Sequence, residues 1–314
     1  MVRIERLNAI WIATLLVMLF AAQNVAADGL ENYRSKRSAS GPFVILYHPR
    51  IENMAKEVET LLAASAGGIA GELGLETIDT IRVFLVPEEE DYRRLHRLIL
   101  PEWGVAFSET RQQILGVNTA AVLRSPRPLR VVIRHELSHL LLAQRVGSVR
   151  VPLWFMEGLA MLQANEWGFK ERWKLAAAVW SDRAPDLGDL VRSFPTRVDD
   201  AGIAYSVSFI AVGELLHDRP EDLITLTAFI RDLGDFEEAF EKTFGESTES
   251  FAARVHTLLT KKYRTAGGLI RTTPYWLILA LLVITVYFVK RFRNARKLKE
   301  WERSEASGRG ASFD

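Results

Sequence analysis

The sequence predicts an α+β fold. A small mixed sheet with helices comes first, a helical part follows, and one C-terminal helix spans a membrane. Three observations carry this. Apolar runs at 43–47 and 80–86 alternate with helically spaced segments at 52–70 and 88–99. The stretch 129–143 holds no Gly or Pro and is apolar almost all round, yet contains His135, Glu136 and His139. Residues 273–289 carry no charge and run straight into a basic tail.

Composition sets the bounds. With 314 residues, 48% hydrophobic and 25% charged, the chain has room for one large or two small globular domains. A net charge of +1 gives no electrostatic footprint for nucleic acid. There are no cysteines, which excludes disulfides, thiolate ligands and thiol nucleophiles. Any bound metal must therefore use His and carboxylate.

In chain order, 1–27 reads as an export signal. Arg3 and Arg6 precede an apolar stretch at 9–22, and Val25, Ala26 and Ala27 supply small residues before a cut at Asp28. An uncleaved anchor is the alternative. Residues 28–41 are polar and read as a linker. From 42 to 127 the pattern is mixed α/β: strand 43–47, helix 52–70, strand 80–86, charged helix 88–99, and short strands at 105–107 and 113–117 joined by a polar turn.

Residues 128–165 carry the chemistry. His135 and His139 are four apart, so a helix stacks them on one face with Glu136 bordering it. Two such imidazoles can hold one zinc ion, and Glu136 can reach a water on it as general base, the HExxH arrangement of metallopeptidases. Buried polar groups in so apolar a helix need partners. The alternative to a metal is a pair of core histidines bonded to carbonyls. Pro152 opens the next helix, where Glu157 is the one acid at 153–162 and Gly158 follows it. Glu157 is placed to be a third ligand, unless it caps or pairs elsewhere.

HELSHLLL followed by VPLWFMEGLAML resembles the gluzincin metallopeptidases, and most of all the peptidase MA-like group. That pattern is HExxH, then a Pro, a Trp and a Glu-Gly-Leu-Ala run, here His135, Glu136, His139, Pro152, Trp154, Glu157, Gly158, Leu159 and Ala160. The resemblance implies a thermolysin-like core, zinc on His135, His139 and Glu157, Glu136 as catalytic base, and a peptide or protein substrate. It also implies a sheet edge beside the zinc that pairs with substrate, for which 113–117 is the expectation. An ordinary covered edge is the alternative. One departure stands out. Many gluzincins place an acid one turn beyond the glutamate ligand, and here that residue is Met161. The carboxylate that normally supports a zinc histidine is left unassigned.

Residues 166–266 read as helical. A helix at 166–180 carries Trp167, Trp173 and Trp180 as packing residues, and 185–197 is loop-like. Pro220, Gly234 and Gly245 divide 201–264 into about four helices. Tyr205 fits a tyrosine that recurs in the peptidase MA-like pattern, which implies a hydroxyl for the developing oxyanion. The alternative is a packed Tyr with a bonded hydroxyl. His217 and His256 lie apart from the motif.

The span is placed at 273–290. Tyr275 and Trp276 at one end, and Tyr287 and Phe288 at the other, suit the membrane interfaces. The tail 291–314 opens with Arg291, Arg293, Arg296, Lys297 and Lys299, which puts it in the cytoplasm and the preceding domain outside. The expectation is a zinc peptidase of the bacterial cell membrane, single-pass, acting on cell-envelope or membrane-associated peptides or proteins. A silent binding or scaffold protein on the same fold, or a non-peptidase zinc hydrolase, are the other readings.

Overall fold

Alternating side chains build the sheet. In β2 (Phe43–Tyr47), Phe43, Ile45 and Tyr47 are buried, while Val44 and Leu46 are half-buried on the other side. The computed structural model describes residues 32–87, 105–272 and 277–293. β3 (Ile81–Val86) runs parallel to β2, and β5 (Ile114–Asn118) parallel to β3. β1 (Arg34–Arg37) and β4 (Ala106–Glu109) are antiparallel additions at the two sides, giving the order β1-β2-β3-β5-β4. The sheet is mixed, as expected.

Two expectations change here. The linker reading of 28–41 fails at β1, whose four polar residues are all exposed and pair with β2 through backbone alone. Residues 113–117 are not an edge, because β5 lies between β3 and β4 and is buried along its whole length. β4 holds the outer position among the described residues. The signal at 1–27 and the helix at 88–99 lie outside the described residues.

α1 (Glu52–Leu73) and α3 (Leu129–Val146) pack against each other and onto the sheet. Between them α2 (Thr119–Arg124) is a short helix capped by the Asn118 side chain, which accepts from the Ala121 amide. Val58, Leu62 and Ile69 of α1, and Ile133, Leu137 and Leu141 of α3, are fully buried. This layer holds α3 rigidly, and α3 carries the two histidines.

A second core forms around α4 (Leu153–Ala164), which follows Pro152. Trp154 and Phe155 are fully buried and meet Phe236, Phe240 and Phe251 ring to ring. These come from α8 (Phe236–Phe244) and the start of α9 (Thr248–Thr272). α6 (Val198–Leu216) lies along α4, and α7 (Asp222–Leu233) packs on α8 and α3. The four helices described between residues 198 and 272 match the count predicted for 201–264, with Gly234 and Gly245 at helix ends.

α5 (Phe169–Trp180) begins three residues later than the expected 166. Trp167, just before it, stacks on Phe209 with centroids 4.4 Å apart. Trp173 and Trp180 are less enclosed than expected, at 52% and 44% exposed, although Trp173 meets the Phe169 ring at 6.0 Å.

The chain forms two units. One takes in the described residues to Leu175 and Ala184–His256; the other is Ala176–Arg183 with the chain from Thr257 on. In the second unit, the described part of the expected span is a helix at 277–293, and residues 273–276 lie outside the described ones. Among the described residues no helix is long and apolar enough to cross a membrane.

Candidate metal centre

The site is built from two neighbouring helices. On α3, His135 and His139 bring their rings to 4.9 Å between centroids, edge to face at 80°. Gly147, at φ 69°, ends that helix, and the chain turns through 148–151 to Pro152. One turn into α4, Glu157 points back at the histidines. Its Oε2 lies 3.3 Å from His135 Nε2 and 3.6 Å from His139 Nε2. One ligand atom from each of the three residues lies within 4.8 Å of the others.

These residues fit a metal ion. Glu157 Oε2 and His139 Nδ1 are buried and have no aligned hydrogen-bond partner among the described residues. A desolvated carboxylate facing two imidazole nitrogens without a hydrogen bond is costly, and a cation among the three removes that cost. Without metal the charge must be balanced by a proton. Burial works against protonating His135, but the facing carboxylates of Glu157 and Glu166 outweigh it and push its pKa up to about 10. Burial would raise Glu157, but the His139 and His135 rings hold its carboxyl well below the usual carboxylate range.

Glu136 is half-buried on α3, next to the ligand face. Tyr205, on α6, is half-buried with its ring edge-on to Phe194 at 4.9 Å. Burial raises the Tyr205 pKa, and the negative charges of Glu157 and Glu136 raise it further. The structure therefore brings all five expected residues into one electrostatic neighbourhood. His217 and His256 stay outside it: His217 is exposed, and His256 Nδ1 meets Asp186 at 2.8 Å.

Glu166 is the residue that sequence reasoning missed. Its Oε2 is 3.2 Å from His135 Nδ1, and the same oxygen accepts from the Arg127 guanidinium. Helical periodicity puts Glu166 inside a helix. Instead Asn165 takes a left-handed conformation (φ 54°, ψ 46°) and ends α4. The Glu166 amide then bonds back to the Met161 carbonyl at 2.9 Å. Asn tolerates this conformation well, so Asn165 was the available signal.

Two histidines and a glutamate on adjacent helices make a three-ligand set that can hold a metal with one position left open. The comparison with known families is specific. The sequence matches the Peptidase MA superfamily over residues 74–261, and the chain belongs to that superfamily. The match takes in α3, α4, Tyr205 and the helices α5 to α8, and begins just after α1. No curated protein matches the chain.

Proposed function

We propose that the protein is a membrane-anchored zinc metallopeptidase that hydrolyses peptide bonds outside the cytoplasm. The observation that carries this is the convergence of His135, His139 and Glu157, with Glu136 beside them, in a chain of the Peptidase MA superfamily. Two imidazoles and a carboxylate suit zinc. Zinc held there supplies Lewis-acid polarisation and a water of lowered pKa.

The chain's own groups do the rest. Glu136 takes the proton of the attacking water and passes it to the leaving amine. Tyr205 keeps its proton well into alkaline pH and donates a hydrogen bond to the developing oxyanion. β4, which packs beside α3, takes the role expected of 113–117: an extended substrate adds to its outer side.

The location rests on sequence pattern. Residues 1–27 have the makeup of an export signal, and 273–290 that of an anchor. Leu277, Leu281, Val283 and Phe288 on the helix at 277–293 are each at least 50% exposed, a row that suits lipid better than water. The basic residues from Lys290 on favour a cytoplasmic tail. The substrate class is then a peptide or protein of the cell envelope.

Two measurements test this. Elemental analysis of the purified chain should give about one zinc per protein, lost in His139→Ala. Cleavage of a protein library should stop with a chelator and in Glu136→Gln. Zinc without any cleavage would leave a binding protein on a peptidase fold instead.

A further inference from the structure

We propose that Glu166, clamped by Arg127, is the positioning residue that orients His135 as a metal ligand. The proposal rests on the metal-site reading above and deepens it. It starts from Met161, one helical turn beyond Glu157. Met161 is 3% exposed and apolar, so it offers His135 nothing. The chain instead reverses at Asn165, and the Glu166 amide bonds to the Met161 carbonyl. That turn carries the Glu166 carboxylate back to His135.

The two ring nitrogens then have separate duties. Nε2 faces Glu157 and the other ligands, while Nδ1 lies 3.2 Å from Glu166 Oε2. With its proton on Nδ1 directed at a carboxylate, the imidazole presents the Nε2 lone pair to a metal and gains basicity. Neither Nδ1 has an aligned hydrogen bond among the described residues, but His135 Nδ1 has the Glu166 carboxylate at 3.2 Å, whereas the carboxylate met by His139 is that of Glu157, on its Nε2 side. The burden of orientation therefore falls on His135.

Arg127 holds the carboxylate in place. It stands just before α3, with its amide bonded to Ser125 Oγ at 3.1 Å, and its guanidinium donates to Glu166 Oε2. A further tie fixes the distance between the two helices. Arg134 Nε donates to the Gln163 carbonyl at 2.8 Å, next to the turn that carries Glu166. Arg127 thus acts on the metal only through Glu166.

The test is zinc affinity of the full-length chain in detergent, by competition with a chelator. Glu166→Gln, which keeps the shape and removes the charge, should weaken zinc binding about 10–100-fold. Glu166→Asp should recover part of that loss. Arg127→Gln should weaken binding in the same direction, and the double variant should be no worse than Glu166→Gln alone. Cobalt substituted for zinc should show shifted visible bands in Glu166→Gln. Unchanged zinc affinity in Glu166→Gln, or additive losses in the double variant, would overturn the proposal. If Glu166→Gln does not fold, Arg127→Gln decides the matter in its place: weaker zinc binding supports the proposal and unchanged binding overturns it. A wild-type chain that binds no zinc would bring down the metal site itself, a different result from a wild type that binds and a Gln variant that binds equally well.

Discussion

Gly158 and Ser208 bring α4 and α6 into direct backbone contact. A Cβ on Gly158 would lie 2.3 Å from the Ser208 carbonyl oxygen. Glu157 precedes Gly158, and Tyr205 lies one turn before Ser208. The close crossing therefore sets where Glu157 and Tyr205 stand relative to each other. In WFMEGLA the glycine serves helix packing, next to the glutamate proposed as a metal ligand.

Gly158→Ala should accordingly be destabilising, although alanine is the better helix former. The methyl group meets backbone, which cannot rotate away, so the helices must part. Overpacking of this kind costs about 1–3 kcal/mol. A thermal melt of the variant checks it. A melting temperature at or above that of the wild type would show that the crossing yields more easily than the geometry implies.

Glu136→Gln isolates the chemistry from the fold. The side chain is half-buried and is not one of the three clustered ligand residues. The variant should keep its zinc and its melting temperature. Its kcat should fall about 10²–10⁴-fold, the usual worth of a general base. Full proteolytic activity in this variant would remove Glu136 from the mechanism.

The site was legible where its geometry is local. His135 and His139 are one helical turn apart, and any helix over 129–143 stacks them. Glu157 was legible because the joining turn is short and the next helix is apolar but for that acid. Glu166 was not legible, since its place depends on a single backbone reversal at Asn165 that helical periodicity does not register. β1 escaped because its four polar side chains are all exposed and it joins the sheet through its backbone pairing with β2. The order of β4 and β5 escaped because edge position is set by long-range pairing, to which alternation along one strand is blind. Trp173 and Trp180 show the same limit: residue type suggested burial, and only the fold shows them exposed.

Tyr205→Phe should separate oxyanion support from binding. The raised pKa keeps the hydroxyl protonated at working pH, so its service is donation alone. Removing one such donor costs about 10²–10³-fold in kcat where the donor acts in the transition state. KM should change little, and zinc content not at all. A loss confined to KM would instead place the hydroxyl on the bound substrate, and no loss would leave Tyr205 a packing residue against Phe194.

The metal-free site makes stability depend on pH in a definite direction. In the folded chain the His135 pKa is raised from 6.5 to about 10. Its protonated form is therefore favoured by folding, and that contribution is complete below about pH 6.5 and lost as pH climbs toward 10. Glu157 and Glu166 are lowered from 4.5, so their contribution is present above about pH 4.5 and is lost as pH falls below it. Without metal, this cluster is most stabilising between about pH 4.5 and 6.5. Zinc must displace the His135 proton, so its stabilising effect should grow as pH rises. Melting temperatures from about pH 5 to 9, with chelator and with zinc, check both halves. The chelated chain should lose stability above pH 6.5 while the gap between the two curves widens. A gap that stays flat above pH 6.5 would mean that His135 is already neutral in the metal-free chain, and that Glu157 and Glu166 do not hold its proton.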